Sequence, residues 1–476
     1  MRPGRDGFAL LVALATSATA CASATTQASI AAAEAGADVR SSAGQARIEA
    51  PPLEKTTPAT EAAESDGVAL DGPLELASLE AAALARQPGL VAASHRVRAL
   101  TERARAEGRL PPPEVGAEMW QVPFARPYAL DKAGMIMFSV RQQFPAAGAL
   151  DKMAEATALE AQAEVARGGA EARALVREVD RAFADYAEGT ARHAAHDAHR
   201  AIVEQMTAAA RARYTTGAPL SDVTRAELER ARTEAELERE HGVIDEARAR
   251  LNGLLARPTD APLGRPQQPE ARTAALGPAQ AEALAAAGSP EILAATRLEE
   301  SARAAAGAAD REASVPVFSA GLSAFLPVSD TPAGYGVSFA MSLPWVWGAA
   351  AGRARSAEQK VLAARATASG ARVRARSEAG TALVAVRAAE RRMVVLRDAV
   401  LPAAHRAVDA ARAGYAAGGV GLPMWLEAAR AALEIDVDLA TARGDLDRAL
   451  ADLDWAAGGH VPRAPLTAFK EPDHAP

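Results

Sequence analysis

The sequence predicts a mainly α-helical protein with a membrane β-barrel portion, built from duplicated long-helix hairpins and four β-strands per chain. Three observations lead there. The chain is 49% apolar yet only 4% aromatic over 476 residues. Much of that apolar share is Ala, which favours helix and buries little surface, so long helices fit better than a thick globular core. The body is one pattern written twice, at a spacing near 200 residues. Each copy also holds two short stretches that alternate apolar with small or polar side chains, as strands with two different faces do.

The first element is an address. Arg2 and Arg5 precede an apolar run from Phe8 to Ala15, and Ala18-Thr19-Ala20 forms a small-x-small cleavage pattern, so residues 1–20 read as an export signal. Cys21, the single cysteine, follows directly. Its place fits the rule by which bacterial lipoproteins are cut before a Cys that is then lipidated, although Ala18 stands where Leu is usual. Ordinary signal-peptide cleavage at the same bond would leave a free thiol. A lone cysteine excludes a disulfide framework and a cysteine-based metal centre. Residues 21–75 are rich in Ala, Ser, Thr, Pro and acids, with few large apolar side chains, and read as a flexible tether; residues 460–476 read as a flexible tail.

The two copies span 76–262 and 276–459. Each opens on a short helix interrupted by proline, at Pro88 and Pro290, an offset of 202. Each strand pair ends at an apolar-Pro step, Phe144-Pro145 and Leu343-Pro344, an offset of 199 between the prolines. Long proline-free stretches follow, from about Ala149 to Arg213 and from about Ala349 to Leu401. They end at Tyr214-Thr-Thr-Gly217 and Tyr415-Ala-Ala-Gly418, offset by 201, and a helix returns from each. About 65 residues of helix span roughly 100 Å. Val176, Val179, Phe183 and Tyr186 are spaced 3, 4 and 3 apart, as are Ile244, Ala247, Leu251 and Leu254. This is coiled-coil seam spacing. The Glu/Arg-rich run from Arg225 to Glu240 reads as a solvated face.

The strands argue for a membrane. Ala333 to Gly352 holds no charge until Arg353, yet Gly334, Gly336, Ser338, Ser342 and Pro344 are poor helix material. Val337, Phe339 and Met341 alternate with Ser338, Ala340 and Ser342; Phe318 to Leu326 alternates likewise. Ile136, Phe138 and Val140 do so against Met137, Ser139 and Arg141, after a weaker strand near Val115 to Val122. Trp120, Phe124, Tyr128, Tyr335, Trp345 and Trp347 stand at strand ends, like an interfacial girdle. Four strands cannot close a membrane barrel, and an open edge is forbidden in lipid, so such a chain must oligomerise; a trimer would pool twelve strands.

Other functions find little purchase. The net charge of −7, with no basic stripe interleaved with aromatics, argues against nucleic acid. No phosphate loop, nucleophile elbow or zincin helix is present, so neither an enzyme nor a bound cofactor is expected. His193, His196 and His199 recur every third residue on a predicted helix; surface histidines are expected there rather than a metal site. Met119, Met135, Met137 and Met341 lie in or near strands, where they could face lipid, pack a core or pass a soft metal ion.

Taken together, the export signal, the duplicated plan and the two Tyr-x-x-Gly turns resemble the TolC-like outer membrane efflux proteins. The resemblance covers about Leu76 to Gly458 and is carried best by Tyr214 to Val223, Tyr415-Ala-Ala-Gly418 and Val140-Arg-Gln-Gln-Phe-Pro-Ala-Ala-Gly148. It implies a homotrimer whose barrel in outer-membrane lipid continues as a periplasmic helical tunnel, working with a periplasmic adaptor and an inner-membrane transporter. Gln143-Phe-Pro…Gly148 looks most like the heavy-metal efflux (RND) branch. By the same resemblance Tyr214, Gly217, Ala218, Tyr415, Gly418 and Gly419 would dock the adaptor. Asp222, with Glu427 as the nearest acid in copy two, would line the pore constriction, although Pro423 stands at the matching place. Ser221 is expected to cap the returning helix. Two alternatives remain open: an exit duct for type I protein secretion, and a non-channel periplasmic scaffold lipoprotein.

Overall fold

A computed structural model describes residues 24–38, 70–122, 124–125, 128, 133–328 and 332–466. The expected export signal, Cys21 and most of the expected tether and tail lie outside those residues. The chain divides into two compact units. One comprises the described part of Met1–Val39 with Ala92–Gly168 and Glu291–Ala371; the other comprises the described parts of Arg40–Val91, Gly169–Pro290 and Arg372–Pro476.

The duplication is visible element by element. Copy one runs α2 (Leu76–Arg86), α3 (Pro88–Glu107), β1 (Glu114–Trp120), β2 (Met135–Phe144), α4 (Ala149–Tyr214) and α5 (Leu220–Leu254). Copy two runs α6 (Pro278–Gly288), α7 (Pro290–Ser314), β4 (Val317–Pro327), β5 (Gly334–Ser342), α8 (Ala349–Val395), α9 (Leu401–Ala416) and α10 (Leu422–Ala457). Pro88 and Pro290 each open the second helix of their copy, where a missing N–H costs nothing. The counterpart of the unbroken α4 is α8 plus α9, joined through a π-helical turn at Leu396–Val400. Pro402 explains the difference: its ring would clash with the carbonyl four residues back, and a wider turn relieves the clash.

Three features depart from the sequence reading. Ala24–Ala35, in the expected tether, forms helix α1 in the first unit. Its Ile30 packs with Ala104 and Ala158, and its end approaches so closely that a Cβ on Gly36 would meet Val165 at 2.6 Å. Small residues allow this docking, whereas the sequence reading looked for large ones. In the second unit, Arg463–Pro465, in the expected tail, forms β6, antiparallel to β3 (Arg272–Ala274). Along α5, Glu229 and Glu240 are buried at 5% and 0% exposure, so the Arg225–Glu240 run is not wholly a solvated face.

In the first unit the four long strands form one antiparallel sheet in the order β1-β2-β4-β5. The two copies' hairpins join through β2 and β4, with Met135 opposite Pro327 and Phe144 opposite Phe318. β1 and β5 are the free edges. In the second unit the coiled-coil seam is buried: Val179, Phe183, Tyr186, Ala247 and Leu251 lie inside, together with Leu446, Leu450 and Leu453 of α10.

Candidate functional site

Two regions carry the functional expectations: the sheet of the first unit and the helical turns of the second. In the sheet, directly paired residues share a face. Val115, Val140, Leu322 and Val337 form one such rung, and Ala117, Phe138, Ala324 and Tyr335 the next. The face they belong to is apolar, and Phe138, Val140, Phe318, Leu326, Val337, Phe339 and Met341 are exposed on it. The opposite face has rungs such as Gly116, Ser139, Ser323 and Gly336. One side is thus suited to hydrocarbon and the other to water.

The register also sorts the ambiguous residues. Met119 and Met341 fall on the apolar face, Met135 and Met137 on the small-residue face. Trp120, expected in the aromatic girdle, falls on the small-residue face, where its indole N–H donates to Glu118 Oε2 at 3.1 Å. Phe124, Tyr335 and Trp347 are strongly exposed.

At the turns, α4 ends on Tyr214 and the chain reverses through Gly217 at φ +101°, a region open to glycine. α9 ends on Ala416 and reverses through Gly418 at φ +76°. The repeated tyrosines have diverged. Tyr214 is 49% exposed, whereas Tyr415 is 1% exposed and packs on Trp425 with ring centroids 5.6 Å apart. The Arg213 guanidinium lies 4.5 Å over the Tyr415 ring and donates to its carbonyl at 2.9 Å, tying the two turns together. Met206, Val223, Val408 and Leu422 complete this core. Gly217, Gly418 and Gly419 are exposed and Ala218 is half-buried.

Ser221 does not cap the returning helix. Pro219 occupies the cap position, and Ser221 lies within the first turn of α5. Asp222 also sits in that first turn, where a carboxylate complements the helix dipole. Burial pushes the Tyr415 hydroxyl pKa up, and the Asp222 charge adds to it, so Asp222 lies within electrostatic reach of that ring. Glu427 is exposed and lines a groove of about 600 Å³ with Arg225, Arg232, Arg430 and Glu434.

The histidines are not a surface series. His196 and His199 are 7% and 3% exposed. Burial pushes the His196 pKa down, against the pull of Glu240 and Glu236. His193 stacks on His241 at 4.4 Å. Among the described residues, no group of three or more His, Cys, Asp or Glu is arranged to hold a metal ion.

Sequence reading missed a network beside them. Arg430 donates to both carboxylate oxygens of Glu229, through Nε at 2.9 Å and through Nη2, while His199 Nε2 lies 3.5 Å away. Burial would raise the Glu229 pKa, but Arg430 and His199 outweigh it and hold the carboxyl at about 2. Positions 229 and 430 are 201 apart, the same offset as the repeated tyrosines, so equivalent positions of the two copies carry opposite charges and bond each other. The offset was the available signal.

Comparison with known proteins agrees with this architecture. By sequence, no curated protein matches the chain significantly. The solved outer-membrane channel OprN shares the fold with a TM-score of 0.68 at 20% identity, over 86% of this chain and 99% of that one. VceC from Vibrio cholerae does so at 0.66 and 21%, over 81% and 96%. CusC, whose structures concern folding and transmembrane channel formation, does so at 0.70 and 18%, over 86% and 99%. Residues 283–459 match the profile of the outer membrane efflux protein family. The second copy thus matches the outer membrane efflux protein family by sequence, and most of the chain shares the fold of these solved outer-membrane channels.

Proposed function

We propose that three copies of this chain form a passive exit duct across the outer membrane. An inner-membrane transporter would feed it small molecules or metal ions through a periplasmic adaptor. The observation that carries the reading is the four-stranded sheet, with one apolar face, one small-residue face and two free edges. No helix among the described residues is long and apolar enough to cross a membrane, so the strands are the candidate spanning element. Four strands leave open edges that lipid does not tolerate; twelve from three chains would close.

The exposed turns around Tyr214, Gly217, Ala218, Gly418 and Gly419 would dock the adaptor, with Tyr415 shaping them from within. Asp222 and Glu427 would face the constriction. Among cargoes, the segment Gln143 to Gly148 favours metal ions. Cys21 would carry a lipid anchor.

The test is the mass of the detergent-purified protein together with its conductance in a planar bilayer. Steady ion-conducting steps from a trimer are expected. A water-soluble monomer without conductance would sink the duct and leave the periplasmic scaffold.

A further inference from the structure

We infer that Glu118 sets a cation preference at the outer mouth of the duct; this deepens, and rests on, the channel reading above. Among the described residues of the small-residue face the charges are Glu114, Glu118 and Arg141. Glu114 and Arg141 are direct cross-strand partners, so their charges cancel within one rung. The rung of Glu118 holds Met137, Phe325 and Gly334, with no cation to offset it.

A neighbouring chain would not supply one across the seam. In a closed trimer the free edge of β1 meets the free edge of a neighbour's β5. Gly334–Ser342 reads GYGVSFAMS, which contains no charge, so the conclusion holds in any register. The described residues of the face therefore carry one net negative charge per chain.

The position makes that charge effective. β1 begins after α3 and ends at Trp120, where the Gly134 N–H bonds back to the Trp120 carbonyl and closes the strand pair. Glu118 is thus one rung inside that end, which becomes the outer rim in the channel reading. The next rung inward, Gly116, Ser139, Ser323 and Gly336, has no side chain larger than Ser, whereas the outer rungs carry Met137, Phe325, Trp120 and Met135. The Phe325 ring lies against the sheet, 2.9 Å from where a Cβ on Gly336 would stand. Trp120 holds Glu118 through its indole N–H. Charge and bulk therefore coincide at the mouth, where a ring of carboxylates enriches permeating cations.

The test is the reversal potential of the reconstituted channel in a KCl gradient at about 10 mM salt, where screening reaches only over roughly 30 Å. It is measured for wild type, E118Q and E118K, and for the same changes in an Asp222→Ala background, so that the helical turns do not mask the rim. In that background E118Q should lower the cation-to-anion permeability ratio at least about twofold and E118K should shift it further towards anions. Both differences should vanish near 1 M salt, where the screening length is about 3 Å. An unchanged ratio for E118Q and E118K in conducting channels overturns the inference and leaves the duct intact. A wild type that never conducts removes the channel reading and this inference with it.

Discussion

Replacing Glu229 with Gln should loosen the helix pairing around it, and the size of the effect can be worked out. Arg430 and His199 hold the Glu229 carboxyl at about 2, against an ordinary 4.5. At about 1.4 kcal/mol for each tenfold change in proton affinity, the gap corresponds to about 3 kcal/mol of stabilisation at neutral pH. The figure belongs to a side chain only 7% exposed, so solvent screening removes little of it. Because the folded value is depressed, the contribution is fully present above about pH 4.5 and is lost as the pH falls towards 2. Arg430 is 46% exposed and can turn to water when its partner goes, so E229Q should lose about 2–3 kcal/mol. Hydrogen exchange of the α5 and α10 amides near positions 229 and 430 is the suitable assay, because it reads local opening without requiring two-state unfolding of the whole chain. Exchange there should rise about 30- to 160-fold at pH 7. R430Q should do at least as much at pH 7, since it strands a buried carboxylate. Its difference from wild type should shrink as the pH falls towards 4 and Glu229 takes up a proton. Unchanged protection in both variants would refute the reasoning.

Tyr415→Phe should leave stability within about 0.5 kcal/mol, because among the described residues the buried hydroxyl makes no well-formed hydrogen bond, whereas Tyr415→Ala should cost about 3–5 kcal/mol through the cavity beside Trp425; local hydrogen exchange reads both. Gly458→Ala should disturb the end of α10 by more than about 1 kcal/mol, since φ is +80° and a Cβ would stand 2.5 Å from the Gly288 backbone; a loss of protection in α6 and α10 checks it. Asp222→Ala should lower the channel's cation preference, and a reversal potential equal to that of wild type would reduce Asp222 to a helix-terminus charge worth about 0.3–1 kcal/mol.

What could be read in the sequence, and what could not, divides along physical lines. The helices and the duplication were legible because proline placement and the Tyr-x-x-Gly turns are local signals, repeated at one offset. The strands were legible because a two-faced sheet writes its faces into alternate residues. Burial of charge was not. Glu229 and Glu240 look like any surface carboxylate until a partner helix is placed beside them, and Arg430 is remote in sequence. The same holds for His196 and His199, whose spacing alone does not say which way the helix is turned. Helix α1 escaped notice because it docks through Ala, Gly and a single Ile rather than through a row of large side chains. Trp120 was assigned by its place at a strand end, but only the pairing register reveals the face it occupies.

If the sheet spans a bilayer, one face lies in lipid and the other in water. Single cysteines at Ser139, Val140, Leu322 and Ser323, with the wild-type chain as the blank for Cys21, test it in reconstituted vesicles with a water-soluble maleimide. Positions 139 and 323 share the small-residue face, and 140 and 322 the apolar one. Rapid labelling is expected at 139 and 323, and protection at 140 and 322 until detergent is added. Equal labelling at all four positions would contradict it.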